Sequence, residues 1–222
     1  MIKKMLKNLG KHVELVIVFF LFLFFLVILR DVRINEITFY DEVFKKILVD
    51  TLRSDSLTFV MKTFTFFGSG YCLIVLSILL FILLKDKRYA YLSAVNLVTI
   101  TVLNRLIKAI IRRPRPVDIN IIIEKGFSFP SGHSMVSFAF YVFLMYIIYK
   151  NVKNKKICYL LYVVISFLII MIGLSRIYLG VHYASDVLAG YLVSSCYLII
   201  YIFVIPKYIK RRKNSEKKEV QN

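Results

Sequence analysis

The chain has 222 residues, 59% of them hydrophobic, and a formal net charge of +18. Soluble domains are about 45–50% apolar, so an ordinary water-soluble core is excluded, and the length suits one domain, residues 1–222. Much of the positive charge lies between apolar blocks rather than on one face, which speaks for membrane topology and against a nucleic-acid partner.

A bilayer core takes about 20 mostly apolar residues per helix. Six stretches approach that length: 13–29, 68–84, 89–111, 134–149, 157–174 and 187–206. Only helices and closed barrels satisfy their backbone in lipid, and no alternating barrel pattern occurs. The expectation is an all-α fold, a six-transmembrane-helix bundle forming a single integral membrane domain.

The first stretch follows Lys3, Lys4, Lys7 and Lys11 as a signal peptide would. It ends in Leu29-Arg30-Asp31 without a small-residue cleavage site, so it reads as a retained helix. Residues 30–67 mix charge with Val43, Phe44, Ile47, Leu48 and Leu52 at near-helical spacing. That pattern fits one or two amphipathic helices on the outer surface, or a solvated loop. Gly68-Ser69-Gly70 breaks the chain before the second span. Cys72, Cys158 and Cys196 lie in or beside apolar stretches without metal spacing, and read as small buried hydrophobes.

Four segments fall on one side of a six-helix path: the N-terminus, 85–88, 150–156 and the tail from 207. Together they hold 18 of the 31 lysines and arginines. Short loops rich in Lys and Arg stay cytoplasmic. Both termini are therefore expected in the cytoplasm of a multi-pass cell-membrane protein, and the outer ends of the helices face outside.

Three segments at those outer ends carry the chemistry. The first is Lys108 with Arg115-Pro116, among Arg105, Arg112 and Arg113. Arginine grips phosphate in a planar, bidentate way and lysine acts as a compact charge. Arg113-Pro114-Arg115-Pro116 is stiff, because each proline fixes its own φ and restricts its predecessor. The second is Pro130-Ser131-Gly132-His133, which opens an apolar run and reads as a helix start, where backbone N–H groups favour an anion. Ser131 there could cap the helix or donate to a phosphate oxygen, and Gly132 allows close backbone approach. The third is Ser175-Arg176 with His182 and Asp186. Four-residue spacing puts these last two on one face of a helix, where the carboxylate fixes the imidazole tautomer and frees the other nitrogen to attack. Two of three histidines, a carboxylate and several cations suit phosphoryl transfer through a covalent histidine.

These residues resemble the signature of the type 2 phosphatidic acid phosphatase family, itself similar to vanadium haloperoxidases. Every signature position is filled: Lys108 with Arg115-Pro116, Pro130-Ser131-Gly132-His133, and Ser175-Arg176 with His182 and Asp186. The resemblance implies His182 as nucleophile, Asp186 orienting it, and His133 protonating the leaving oxygen. Lys108, Arg115, Ser131, Gly132 and Arg176 would hold the phosphate oxygens. No metal and no cofactor is implied, and the outer acids Asp118, Glu124 and Asp186 are too sparse for a two-metal clamp. The expected activity is hydrolysis of a lipid phosphate at the outer membrane surface, with undecaprenyl pyrophosphate or phosphatidylglycerophosphate leading and phosphatidic acid behind them. A lipid phosphotransferase and a non-catalytic lipid-binding membrane protein are the alternatives. Spans almost free of charge away from their ends count against transport.

Overall fold

The computed structural model describes residues 2–117 and 119–219, and the side chains of 13–117 and 119–203. Asp118 and the side chains of His12, the N-terminal lysines and the basic tail lie outside these described residues. Eight α-helices occur in them, and no strand. They are α1 (Ile2–Asn35), α2 (Phe39–Lys45), α3 (Asp55–Phe67), α4 (Gly70–Leu83), α5 (Lys87–Ile111), α6 (Gly132–Asn151), α7 (Lys155–Tyr178) and α8 (Ala184–Glu219). A π-helical turn, Lys46–Thr51, continues α2.

Five segments are long and apolar enough to cross a bilayer: Val13–Asn35, α5, α6, α7 and Ala184–Phe203. The stretch expected at 68–84 does not pass as a span by itself. Its helix α4 has 14 residues, which at 1.5 Å per residue rises about 21 Å, short of the roughly 30 Å hydrocarbon core. It passes only together with α3, as a pair bent by 49°. The apolar run therefore continues back through a segment that reads as amphipathic because α3 packs one face on α7, with Met61 buried and Leu57 partly so.

The bend has a local cause. Gly68 ends α3, and the Ser69 hydroxyl caps α4 by accepting the Cys72 N–H at 3.2 Å. A Cβ on Gly68 would stand 2.6 Å from Ile172 Cγ2 and 3.4 Å from His133 Cδ2. The break is thus pressed against both α7 and the start of α6.

Helix α6 is central, packed by α5, α7 and α8, while α1 lies on α8. Sparse polar side chains tie the spans together. Asn96 Nδ2 donates to the Ala139 carbonyl at 2.9 Å, Ser194 Oγ to that of Met135 at 2.7 Å, and Tyr141 to that of Phe67 at 2.8 Å. In lipid such bonds hold helices where the hydrophobic effect cannot.

Two features aim the loops. Gly180 has φ +73°, and a Cβ there would collide with the Ile119 carbonyl, so only glycine lets the turn before α8 pass beneath the loop after α5. Phe129 is fully buried, its ring 6.1 Å from that of Phe25 in the cluster with Ile28, Val32 and Ala189. That anchor fixes the entry to α6.

Candidate active site

The three segments meet at one end of the bundle. Lys108 lies in the last turn of α5, Arg115 in the stiff loop beyond it, Ser131 at the cap of α6 with Gly132 and His133 in its first turn, and Arg176 near the end of α7. The His182–Asp186 pair forms, but not on one helix face. His182 sits in the turn before α8 and Asp186 in the first turn of that helix. Asp186 Oδ2 reaches back to accept the Tyr183 N–H at 2.9 Å and stands 3.3 Å from His182 Nδ1. The pairing is a helix-start arrangement, which a count of four residues cannot tell from a helix face.

Hydrogen bonding assigns the imidazole tautomer. Arginine can only donate, and Arg115 Nη1 lies 3.0 Å from His182 Nε2, so Nε2 carries a lone pair. The proton is then on Nδ1, shared by Asp186 Oδ2 and by Ser128 Oγ at 3.2 Å. Ser128 in turn donates to Asp186 Oδ2. Burial pushes the His182 pKa down to about 4, against the Asp186 hydrogen bond and charge that raise it, with Arg176 and Lys108 adding to the fall. His182 is neutral at neutral pH, with its free nitrogen turned toward a cation.

The cations surround that nitrogen. Arg115 also donates to the carbonyls of Val181 at 2.8 Å and Gly126 at 3.0 Å. Lys108 donates to those of Phe127 and Ser128, the latter at 3.1 Å. A Cβ on Gly132 would come 3.2 Å from Asn104 Oδ1 and 4.0 Å from Lys108 Cε, so Gly132 stands close beside that lysine. Arg176, fully buried, donates to Thr65 and pairs with Glu124. Ser131 is spoken for. Its hydroxyl accepts the Ser134 N–H at 3.4 Å and the Ser134 hydroxyl at 2.9 Å, and its N–H donates to the Asp186 carbonyl at 3.0 Å. It caps α6 and ties that helix to α8.

Glu124 was not among the expected site residues. Its carboxylate bridges Arg176 and Arg115, the latter at 3.3 Å, and lies 3.9 Å from His133 Nδ1. Burial alone would raise its pKa, but Arg176, His133, His182 and Arg115 outweigh burial and hold it below the usual carboxylate range. An acid among so many cations marks the place as built for an anion. Ser128 and Thr65 were missed too, and nothing in the sequence flags them. Arg113 was visible only as one cation of a run. It turns inward, 5% exposed, to pair with Asp186 and Asp41. Arg105 and Arg112 stay exposed. Among the described residues no group of His, Cys, Asp and Glu is placed to hold a metal ion.

Comparison with known proteins bears on the family and the fold. Residues 88–210 match the model of the PAP2 superfamily. The chain is 34% identical over 178 residues to phosphatidylglycerophosphatase B of Bacillus subtilis, covering 77% of this chain and 86% of that one. It is 26% identical over 167 residues to an undecaprenyl-diphosphatase of Sulfolobus acidocaldarius, covering 72% and 76%. The crystal structure of a transmembrane PAP2-type phosphatidylglycerolphosphate phosphatase from Bacillus subtilis superposes with a TM-score of 0.78 at 30% identity, over 86% of this chain and 96% of that one.

Proposed function

The chain belongs to the PAP2 superfamily as a multi-pass membrane phosphatase, and from that premise we propose that it hydrolyses a lipid phosphate through a phosphohistidine formed on His182. One observation carries the reading: a neutral His182 whose Nδ1 is tied to Asp186 and whose free Nε2 points at Arg115, beside Lys108, Arg176 and His133. Nε2 attacks phosphorus, and the electron pair of the broken P–O bond leaves with the lipid oxygen, which takes its proton from His133 in the imidazolium form. Water then attacks the phosphohistidine, giving its proton to the now neutral His133, and the P–N electron pair returns to Nε2. The arriving phosphate replaces the Glu124 carboxylate as partner of Arg176 and Arg115, with Lys108 and the Gly132 N–H on the remaining oxygens, while the Ser131 N–H stays on the Asp186 carbonyl. Positioned cations stabilise the equatorial oxygens, the task a metal ion performs elsewhere.

Phosphatidylglycerophosphate leads as substrate, because the relative of higher identity is named for it; undecaprenyl pyrophosphate follows on the second relative. Six spans, with α3 and α4 as one bent crossing, put both termini on the cytoplasmic side and the site outside, with α2 lying along the outer surface. The charge-rich segments at 85–88 and 150–156 support that orientation.

The test is phosphate release by the detergent-purified protein from phosphatidylglycerophosphate, undecaprenyl pyrophosphate and phosphatidic acid in excess EDTA. Release is expected from at least the first, undiminished by EDTA. No release from any of the three, or release only without EDTA, overturns the reading.

A pH profile tests the nucleophile separately. Attack needs neutral His182, and its pKa near 4 means protonation sets in well below an ordinary histidine's range. The acid limb of kcat/KM, corrected for the substrate phosphate's own ionisation near pH 6, is expected toward pH 4. An intrinsic limb at about 6.5, the unperturbed histidine value, would show that His182 titrates as an exposed imidazole.

A further inference from the structure

We propose that Asp41 and Arg113 set the charge that His182 feels, which makes Asp41, on a helix with no signature residue, a positioning residue of the active site. The inference deepens the phosphatase reading and rests on it. Arg113 lies over the Tyr183 ring, 4.0 Å from its centroid. Its Nη1 donates to Asp186 Oδ1 at 2.8 Å and to Ser185 Oγ at 2.6 Å. Its Nη2 donates to Asp41 Oδ2 at 2.9 Å and to the Glu36 carbonyl. The Asp41 side chain is fully buried and accepts the Ser185 N–H at 2.7 Å and hydroxyl at 2.9 Å. The same carboxylate, bonded to the Thr38 N–H at 3.0 Å, closes the capping box that starts α2. Helix formation at 39 therefore places Asp41 without further help.

Two buried carboxylates share one guanidinium, and the count has a consequence. Buried charge persists only when it is paired or well hydrogen-bonded, and both carboxylates also accept N–H and hydroxyl donors. Arg113 with Asp186 alone would make a neutral pair, and the guanidinium would cancel much of what Asp186 does for His182. Asp41 takes half of Arg113 and returns the three-residue cluster to a net charge of −1. That charge meets an imidazole which becomes positive as Nε2 bonds to phosphorus. The other charged groups near the pair, Lys108, Arg115, Arg176 and Glu124, belong to the phosphate side and do not supply it.

Asp41→Asn tests this. Arg113 keeps Asp186, so no charge is stranded, and the cluster becomes neutral. We expect kcat to fall about tenfold with KM within about twofold, the scale of one unit charge a few residues away at an effective dielectric near 20. The double variant Asp41→Asn, Arg113→Gln restores −1 through Asp186 alone, and should recover at least about threefold of the lost kcat. A mere brace predicts the reverse, a double variant slower than the single one. Wild-type kcat in Asp41→Asn, or a double variant slower than it, overturns the proposal. If Asp41→Asn does not fold, the double variant is read against wild type, with kcat expected within about fivefold and any greater loss overturning the idea. Wild type and His182→Ala run alongside. An inactive wild type sinks the phosphatase reading, whereas an active wild type with an indifferent Asp41→Asn sinks this inference alone.

Discussion

His182→Ala should lose at least about 10⁴-fold in phosphate release, since removing the nucleophile of a covalent mechanism leaves only binding and electrostatics. No neighbour can take over. His133 is the other histidine at the site, and its Nδ1 faces Glu124 rather than the turn before α8. The loss should not be a folding defect. Asp186 would keep Arg113, the Ser128 hydroxyl and the Tyr183 N–H, so deleting a neutral ring strands no charge. Two measurements separate the cases: turnover under saturating lipid, and acid quenching of enzyme with labelled substrate to trap acid-labile phosphohistidine. Wild type should give the adduct and the alanine variant none. Full activity in His182→Ala would end the covalent mechanism.

Asp186→Asn should cost kcat up to about 10⁴-fold while KM barely moves, the scale seen when a catalytic histidine is held in the wrong tautomer. The surroundings explain why an amide cannot serve. Oδ1 receives a donor from Arg113, and Oδ2 receives donors from Ser128, Tyr183 and His182. If the amide oxygen keeps the Oδ2 place, its NH₂ confronts the Arg113 guanidinium, donor against donor. If it flips, the NH₂ confronts His182 Nδ1 and drives the proton to Nε2, the atom that must attack. Either choice damages the pair, by misplacing Arg113 or by blocking the nucleophile. Steady-state kinetics with a competitive phosphate analogue would separate rate from binding. An unchanged kcat would mean that Asp186 does not orient the ring.

The chemistry was more legible than the architecture. Lys108, Arg115, His133, Arg176, His182 and Asp186 stand out as a set by their motif spacing, and the structure brings them to one end of the bundle. Their convergence is expected from topology, since consecutive spans that run in opposite directions put all of them at one end of the bundle. What stayed hidden was pairing. A run of arginines does not say which one turns inward, so Arg113 looked like Arg105 and Arg112 until its buried partners Asp41 and Asp186 appeared. Hydroxyls say little more: Ser131 leaves capping and phosphate donation both open and proves to cap the start of α6, and Ser128, without any motif of its own, touches both His182 and Asp186. Hydropathy found the five long spans, but α4 alone is too short to pass and does so only together with α3, whose face toward α7 dilutes the apolar signal.

The kink between α3 and α4 carries a lesson for interpreting sequence variants. Position 68 is about 40 residues upstream of the first signature lysine and looks like spacer. Yet its missing side chain is the clearance for Ile172, and a Cβ there would rest against the edge of the His133 ring. A substitution there would leave every diagnostic residue in place, and a motif search would score the allele as intact. Any loss of turnover would arrive through a hinge that borders His133.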